Sequence, residues 1–166
     1  MELLIREMED RDWTRVSEIY VQGIETNLAT FESKSPDYET WDKAHAKVCR
    51  YIITDNENIL GWAALSIVSG RCVYSGVAEL SIYIDNRYKG KGIGSKLLDH
   101  LINESENHGF WTIQSGIMEE NEVSIKLHEK CGFRRIGFRE KVGKDRYGKW
   151  RNTVLMEKRS KLEKYN

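Results

Sequence analysis

Between Glu79 and Leu98 the sequence reads as a strand running into a glycine-rich basic turn, and the turn opens a helix. Leu80, Ile82 and Ile84 alternate with Ser81 and Tyr83, the period of a half-buried strand. Ile93, Leu97, Leu98, Leu101 and Ile102 then recur at helical spacing and predict one apolar helix face. Gly90, Gly92 and Gly94 stand at alternate positions between the two, so backbone N–H groups can point outward with no Cβ in the way. These amides add to the unpaired N–H groups of the helix and to the positive end of its dipole. Lys89, Lys91 and Lys96 bring full charges. The product is an anion cradle, best suited to a phosphate or pyrophosphate.

Two common phosphate loops do not fit. A Walker A loop needs Gly-x-x-x-x-Gly-Lys-Ser/Thr, and the residue five after Gly90 is Ser95. The dinucleotide fingerprint Gly-x-Gly-x-x-Gly fails at the same serine, and it belongs to an early strand, whereas this turn lies mid-chain. The pattern present is Arg-x-x-Gly-x-Gly, carried by Arg87, Gly90 and Gly92. Taken alone, it also reads as a surface turn that uses glycine for geometry and lysine for solubility.

A chain of 166 residues is about one domain. Its 26 Lys and Arg balance 26 Asp and Glu, so no bulk field favours nucleic acid or an anionic membrane, and the lysines at the turn are a local feature suited to a small anion. Cys49, Cys72 and Cys131 are odd in number with no Cys-x-x-Cys spacing, which suggests neither a disulfide framework nor a zinc site. Cys131 reads as a nucleophile or, more simply, as helix-face packing. The N-terminus is charged from Glu2 with no leader pattern, and the apolar stretch Trp62 to Val68 is too short to span a bilayer. A soluble protein of the reducing cytoplasm, without a metal, is expected.

The remaining elements follow from periodicity and turn chemistry. A strand at Leu3 to Arg6 precedes a helix capped by Asp10 or Asp12, with Trp13, Val16, Ile19, Tyr20 and Ile24 on one face. Residues 26 to 35 read as a loop, and a second helix runs from Pro36 to about Ala46. Strands at 48–54 and 59–67 flank Asp55-Asn56-Glu57-Asn58, which is hairpin chemistry. After a loop at 68–76 comes the central strand, then the helix ending near Gly109, a strand at 111–117 and a helix closed by Gly132. Strands at 133–140 and 150–157 flank the polar turn Asp145 to Lys149. The order predicts a mixed α/β single domain over 1–158, with a charged tail at 159–166 expected to fray.

A second landmark is Asn121-x-x-Ser124-x-x-Leu127-His128-x-x-x-Gly132-Phe133. Together with the glycine turn it resembles the GNAT (Gcn5-related) N-acetyltransferases, and the likeness extends over residues 1–157. The resemblance implies an α/β (α+β) acyl-CoA N-acyltransferase fold, a mixed central sheet flanked by helices, whose two central parallel strands splay apart to admit acetyl-coenzyme A. It implies cofactor contacts at Ile82, Tyr83 and Ile84 on the central strand. On the turn it implies Arg87, Lys89, Gly90, Lys91, Gly92, Ile93, Gly94 and Ser95, and further along the chain Asn121 and Lys130. For Asn121 a plain helix-capping role stays open.

Ala29-Thr30-Phe31-Glu32, Gly61-Trp62-Ala63, Arg71-x-x-Tyr74-x-Gly76-Val77-Ala78-Glu79 and Tyr147-Gly148-Lys149-Trp150 are similar to the phosphinothricin and methionine sulfone/sulfoximine acetyltransferases. Those enzymes acetylate the α-amine of small amino-acid analogues, and relatives of this kind are commonly dimers, which implies a homodimer here. Arg151-Asn152 departs from the His-Asp of the phosphinothricin-specific enzymes.

Acetyl transfer from a thioester needs a neutral amine, a stabilised oxyanion and a protonated thiol. Glu79, at the start of the central strand, is the candidate base, with a partly desolvated carboxylate suited to the task. It also reads as an anchor for the ammonium or as an ordinary charged strand end. A backbone N–H of the strand is the expected oxyanion donor. His128 stands where many members carry a tyrosine that protonates the thiolate, and it reads as a proton shuttle or as a histidine merely hydrogen-bonded near the cofactor. Phe31, Glu32, Arg71 and Tyr74 are candidate acceptor contacts, Arg71 through a bidentate grip on a carboxylate, and each reads as readily as surface or core. No serine or cysteine shows an activating partner in the sequence, so direct attack in a ternary complex is expected. A peptide acceptor and a catalytically silent acyl-CoA-binding module are the alternatives.

Overall fold

The computed structural model describes all 166 residues. Seven strands form one sheet: β1 (Leu4–Glu7), β2 (Tyr51–Thr54), β3 (Ile59–Ile67), β4 (Val77–Ile84), β5 (Thr112–Met118), β6 (Arg134–Lys144) and β7 (Trp150–Arg159). Four helices join them: α1 (Trp13–Glu25), α2 (Tyr38–Ala44), α3 (Ile93–Asn107) and α4 (Glu122–Lys130). The strand order is β1-β2-β3-β4-β5-β7-β6, and every pairing is antiparallel except β4 with β5. That parallel pair is short. It runs from Val77↔Thr112 to Glu79↔Gln114, after which β4 continues to Ile84 and β5 to Met118 without pairing each other. The central strands therefore splay, as expected.

Each face of the sheet has its own core. Ile93, Leu97, Leu98, Leu101 and Ile102 of α3 are all buried, and they pack with Ala78 and Leu80 of β4, Ile113 and Ile117 of β5 and Ile125 of α4. On the opposite face Val16 and Ile19 of α1 meet Trp41 of α2 and Ile52, Trp62 and Ala64 of the sheet. Strand alternation does the rest. Leu80, Ile82 and Ile84 face α3 and α4, while Tyr83 packs with the α1–α2 core, which puts Glu79 and Ser81 on that side. On β5, Ile113 and Ile117 carry Ser115 to the α3–α4 side.

The differences from expectation have local causes. Asp12 does not cap α1 with its side chain; it accepts from both Arg6 Nη1 and Nη2 at 2.8 Å and from the Glu9 N–H at 2.8 Å. Helix α2 begins after Asp37, whose side chain accepts from the Thr40 N–H at 2.8 Å, so Pro36 lies outside it. Strand β2 starts at Tyr51 because Cys49 takes a left-handed φ of 59°, which interrupts an extended chain. Strand β6 extends past Glu140 to Lys144 through an irregularity between Arg139 and Gly143, where Lys141 has φ of 47°.

The tail folds back against the domain. Ser160 Oγ donates to Glu106 at 2.6 Å, Tyr165 Oη donates to the Glu106 carbonyl at 2.8 Å, and the Tyr165 ring tilts against Trp111. No helix is long and apolar enough to cross a membrane.

Candidate functional site

Where β4 and β5 part, a cleft of about 340 Å³ opens. Its walls are residues 79–83 of β4, residues 115–117 of β5, Asn121, Ser124 and His128 at α4, the loop 28–32, Tyr20 and His45. Beyond Glu79 the β5-facing edge of β4 has no strand partner, so its N–H and C=O groups can pair with an extended amide chain as an added strand would.

The glycine turn lies at the far end of β4. Gly90 and Gly92 have φ of 75° and 77°, the left-handed region that favours glycine, and Gly92 caps α3 with no side chain. The N–H groups of residues 89–92 donate to no backbone carbonyl, and they adjoin the free first-turn N–H groups of α3. Ile93 is buried, so only its backbone is offered; Lys89 and Lys91 are exposed. These groups fit a pyrophosphate, and the free β4 edge fits the amides of a pantetheine arm. Arg87 is exposed on the turn and also braces it from within. Its Nε and Nη2 donate to Asp85 at 3.2 and 3.1 Å, and its N–H donates there at 2.9 Å. Asp85 is fully buried, also holds Arg15 and Gln22, and is kept well below the usual carboxylate range, chiefly by Arg87. Arg87 therefore shapes the turn.

Glu79 lines the cleft from the α1–α2 side and is exposed, so the chain itself does not bury the carboxylate as expected. Tyr83, on the same face, stacks on Trp62 with centroids 5.0 Å apart. Its ring sits where a side chain at Gly23 would stand, 2.6 Å from an added Cβ, so α1 needs a glycine there for this wall to form.

His128 is 2 % exposed. Its Nδ1 lies 2.6 Å from the Ser124 carbonyl, which can only accept, so Nδ1 carries the proton and Nε2 presents a lone pair. Ser115 Oγ, 2.9 Å away, donates to that lone pair. Burial pushes the imidazole below its ordinary 6.5, with the Ser124 hydrogen bond opposing, so the ring is neutral near pH 7. The expectation that no serine has an activating partner is thereby corrected. Cys49 and Cys131 are no candidates, since burial pushes both thiols up to about 12.

Asn121 does two things at once. Its Oδ1 caps α4 by accepting from the Ser124 N–H at 3.3 Å, and its Nδ2 donates to the Leu28 carbonyl at 3.2 Å, tying the loop to the cleft. Phe31 and Glu32 line the cleft. Arg71 and Tyr74 do not; they sit exposed at the 72–74 turn, with the guanidinium 5.4 Å from the tyrosine ring. Lys130, at the exposed end of α4, is likewise outside the lining. The lining holds two carboxylates, Glu32 and Glu79, and no lysine or arginine.

Sequence reasoning missed the group that holds the loop. Arg151 is 4 % exposed, and its Nη1 donates to the Asn27 carbonyl at 2.8 Å and to Asp145 at 3.1 Å. Its Nη2 donates to Glu120 at 3.2 Å, and Asn27 Nδ2 donates to Asp145 at 3.0 Å. The β6–β7 turn, the turn before α4 and the loop that lines the cleft thus meet at one guanidinium. Ser115 did leave a signal, a polar residue between Ile113 and Ile117 on an apolar strand face.

The profile of the acetyltransferase (GNAT) family matches residues 5–133. Phosphinothricin N-acetyltransferase of Alcaligenes faecalis is 30% identical over 160 residues, which is 93% of this chain and 81% of the relative. L-methionine sulfoximine/L-methionine sulfone acetyltransferase of Salmonella typhimurium is 26% identical over 160 residues, 93% of each chain. Among solved structures, the GNAT superfamily phosphinothricin acetyltransferase of Sinorhizobium meliloti in complex with AcCoA has a TM-score of 0.85 at 26% identity, covering 96% of this chain and 89% of that one. The match spans the glycine turn, the splayed strands and α4 together, and the chain belongs to the GNAT family of N-acetyltransferases, enzymes that draw their acetyl group from acetyl-coenzyme A.

Proposed function

We propose that this protein acetylates the α-amine of a small amino acid or amino-acid analogue, of the phosphinothricin or methionine sulfoximine/sulfone kind, by direct attack in a ternary complex. The observation that carries the reading is the wall that bounds the cleft. Loop 28–32 lines it and is held in place by Asn121 and Arg151, a fixed boundary that suits a small acceptor better than a peptide. The names of the relatives support the same class. In this reading Glu79 takes the ammonium proton, the β4 edge at Ile82 to Ile84 holds the pantetheine, and the open turn at residues 89–95 holds the pyrophosphate. Asn121 and Lys130 complete the cofactor contacts. His128 serves the departing thiol, and Phe31 and Glu32 meet the acceptor. Because no cation lines the cleft, an acceptor carboxylate is the task of Arg71, with Tyr74 beneath it, on the adjoining turn.

Thiol release from acetyl-coenzyme A tests this with methionine sulfone, methionine sulfoximine, phosphinothricin, ordinary amino acids, a polyamine and a peptide as acceptors. Turnover confined to small amino acids and their analogues is the expected result. Turnover on the peptide alone would move the protein to protein modification. Cofactor binding with no turnover would make it a silent acyl-CoA-binding module.

A homodimer belongs to the same reading. Strand β6 is a sheet edge that exposes Ile136, Phe138 and Val142 (43%, 53% and 43%) among charged residues, and exposed apolar side chains on an edge suit a second copy. Light scattering is expected to give twice the chain mass of 19.4 kDa, and a monomer mass removes the dimer. We also place the protein in the cytoplasm, where its three free cysteines match a reducing compartment; cell fractionation checks this.

A further inference from the structure

Ser115 is a hydroxyl on an otherwise apolar face of β5, between Ile113 and Ile117, and it is 4 % exposed. An apolar residue would pack there with no polar atom to satisfy, and a buried hydroxyl left unpaired is costly. Its hydrogen bond runs to His128 Nε2, and the other ring nitrogen is fixed on the Ser124 carbonyl. The polarity of that chain is set by the carbonyl at its end: the imidazole must accept, and the serine must donate. The groups facing the ring are Ser115 from β5, Ser124 from α4 and the edge-on Phe133 ring 4.9 Å away. A histidine whose one free lone pair already receives a hydroxyl exchanges protons with its surroundings through that hydroxyl.

Both residues line the cleft, and they do so from the α3–α4 side, opposite Glu79. The two faces of the sheet thus offer two separate proton sites where the strands part. Glu79 suits the proton that the ammonium must lose before attack. A second proton remains on the nitrogen once the C–N bond has formed.

We propose that Ser115 is a catalytic residue that carries this second proton between the reacting atoms and His128; the proposal rests on the transferase reading above. The amine nitrogen attacks the thioester carbonyl, giving a tetrahedral intermediate with a cationic nitrogen. That nitrogen passes a proton to Ser115 Oγ as the serine passes its own to His128 Nε2. The C–S bond then breaks, the imidazolium returns its proton to Ser115, and the serine hydroxyl proton goes to the thiolate. The products are the amide and the free thiol, with serine and histidine restored. Burial disfavours the imidazolium, so His128 holds the proton only briefly and gives it back readily at the second transfer.

Ser115→Ala tests the relay, measured with the acceptor found in the panel above. The expected result is a fall in kcat of roughly 10²-fold with KM for acetyl-coenzyme A unchanged. Ser115→Thr, which keeps the hydroxyl, is expected to recover most of the loss. Ser115→Ala combined with His128→Gln is expected to fall no further than His128→Gln alone, because the two act in one path. A Ser115→Ala enzyme with wild-type kcat overturns the relay and leaves the transferase reading standing. An acetyl group found on Ser115 by mass spectrometry after quenching overturns both the relay and the direct attack, since the serine would then be a nucleophile, and leaves only the acetyl transfer itself. A wild-type enzyme that acetylates no amine removes the transferase reading itself and the relay with it.

Discussion

Replacing Glu79 by glutamine is expected to lower kcat by roughly 10²- to 10⁴-fold, the range for a lost general base. Glutamine keeps the shape and a hydrogen-bond acceptor but cannot take a proton. Glu79 is exposed and makes no ion pair in the fold, so stability should stay within about 0.5 kcal/mol and the melting temperature should hardly move. Acetyl-coenzyme A should bind as before, since its expected contacts on β4 are backbone groups. The pH profile separates the two roles open to this residue. If Glu79 is the base, the deficit shrinks as the pH approaches the pKa of the acceptor amine, where the substrate is already neutral. If Glu79 only anchors the ammonium, kcat survives and the acceptor KM rises instead. Steady-state kinetics at several pH values, run on both proteins, decides between them.

Arg151→Met is expected to lower the melting temperature by on the order of 10 °C and to raise the acceptor KM about tenfold. Methionine fills similar space, but three hydrogen bonds go with the guanidinium, to Asn27, Asp145 and Glu120. Removing one partner of a buried pair leaves the other charge uncompensated, and that is the costly case. Asp145 also has a pH signature. Its pKa is held down to about 2, first by the Asn27 side chain, then by the Lys149 and Tyr147 amides and Arg151, against its desolvation. A depressed carboxylate contributes stability that is present above its ordinary value and is lost as the pH falls from 3.8 toward 2. Losing Arg151 raises the folded pKa and shrinks that contribution. The gap in melting temperature between wild type and variant should therefore be full at pH 7 and narrow below pH 4. Thermal unfolding at both pH values checks this; equal melting temperatures at pH 7 would show that Arg151 does not hold the loop.

The parts of this protein legible in one dimension are those whose physics is periodic or local. The α3 face from Ile93 to Ile102 and the alternation of β4 follow from side-chain direction alone; the α3 face is buried, and Leu80, Ile82 and Ile84 pack into or against the same core. Gly90 and Gly92 mark left-handed residues that few other side chains tolerate, so the open amide turn could be read directly from them. Element edges were less legible. The start of β2 depends on the backbone of Cys49, and the length of β6 depends on a bulge near Lys141; neither residue type announces such a conformation.

The site divides along the same line. The order of elements and the open glycine turn were determined by the sequence itself, because each rests on neighbours within a few residues of one another, whereas the strand order joins residues far apart in the chain, as Val77 with Thr112 and Thr112 with Arg159. Arg87 carries a motif, yet which partner it takes was decided by Asp85, a carboxylate buried beneath α1 and held by Arg15 and Gln22. Ser115 and His128 are thirteen residues apart, and Arg151 lies 124 residues from the Asn27 carbonyl it holds. A lone serine, histidine or arginine has no partner until the sheet closes and burial removes water as the competing one. Only the tertiary structure could decide which side chains share a proton and which loop lines the cleft.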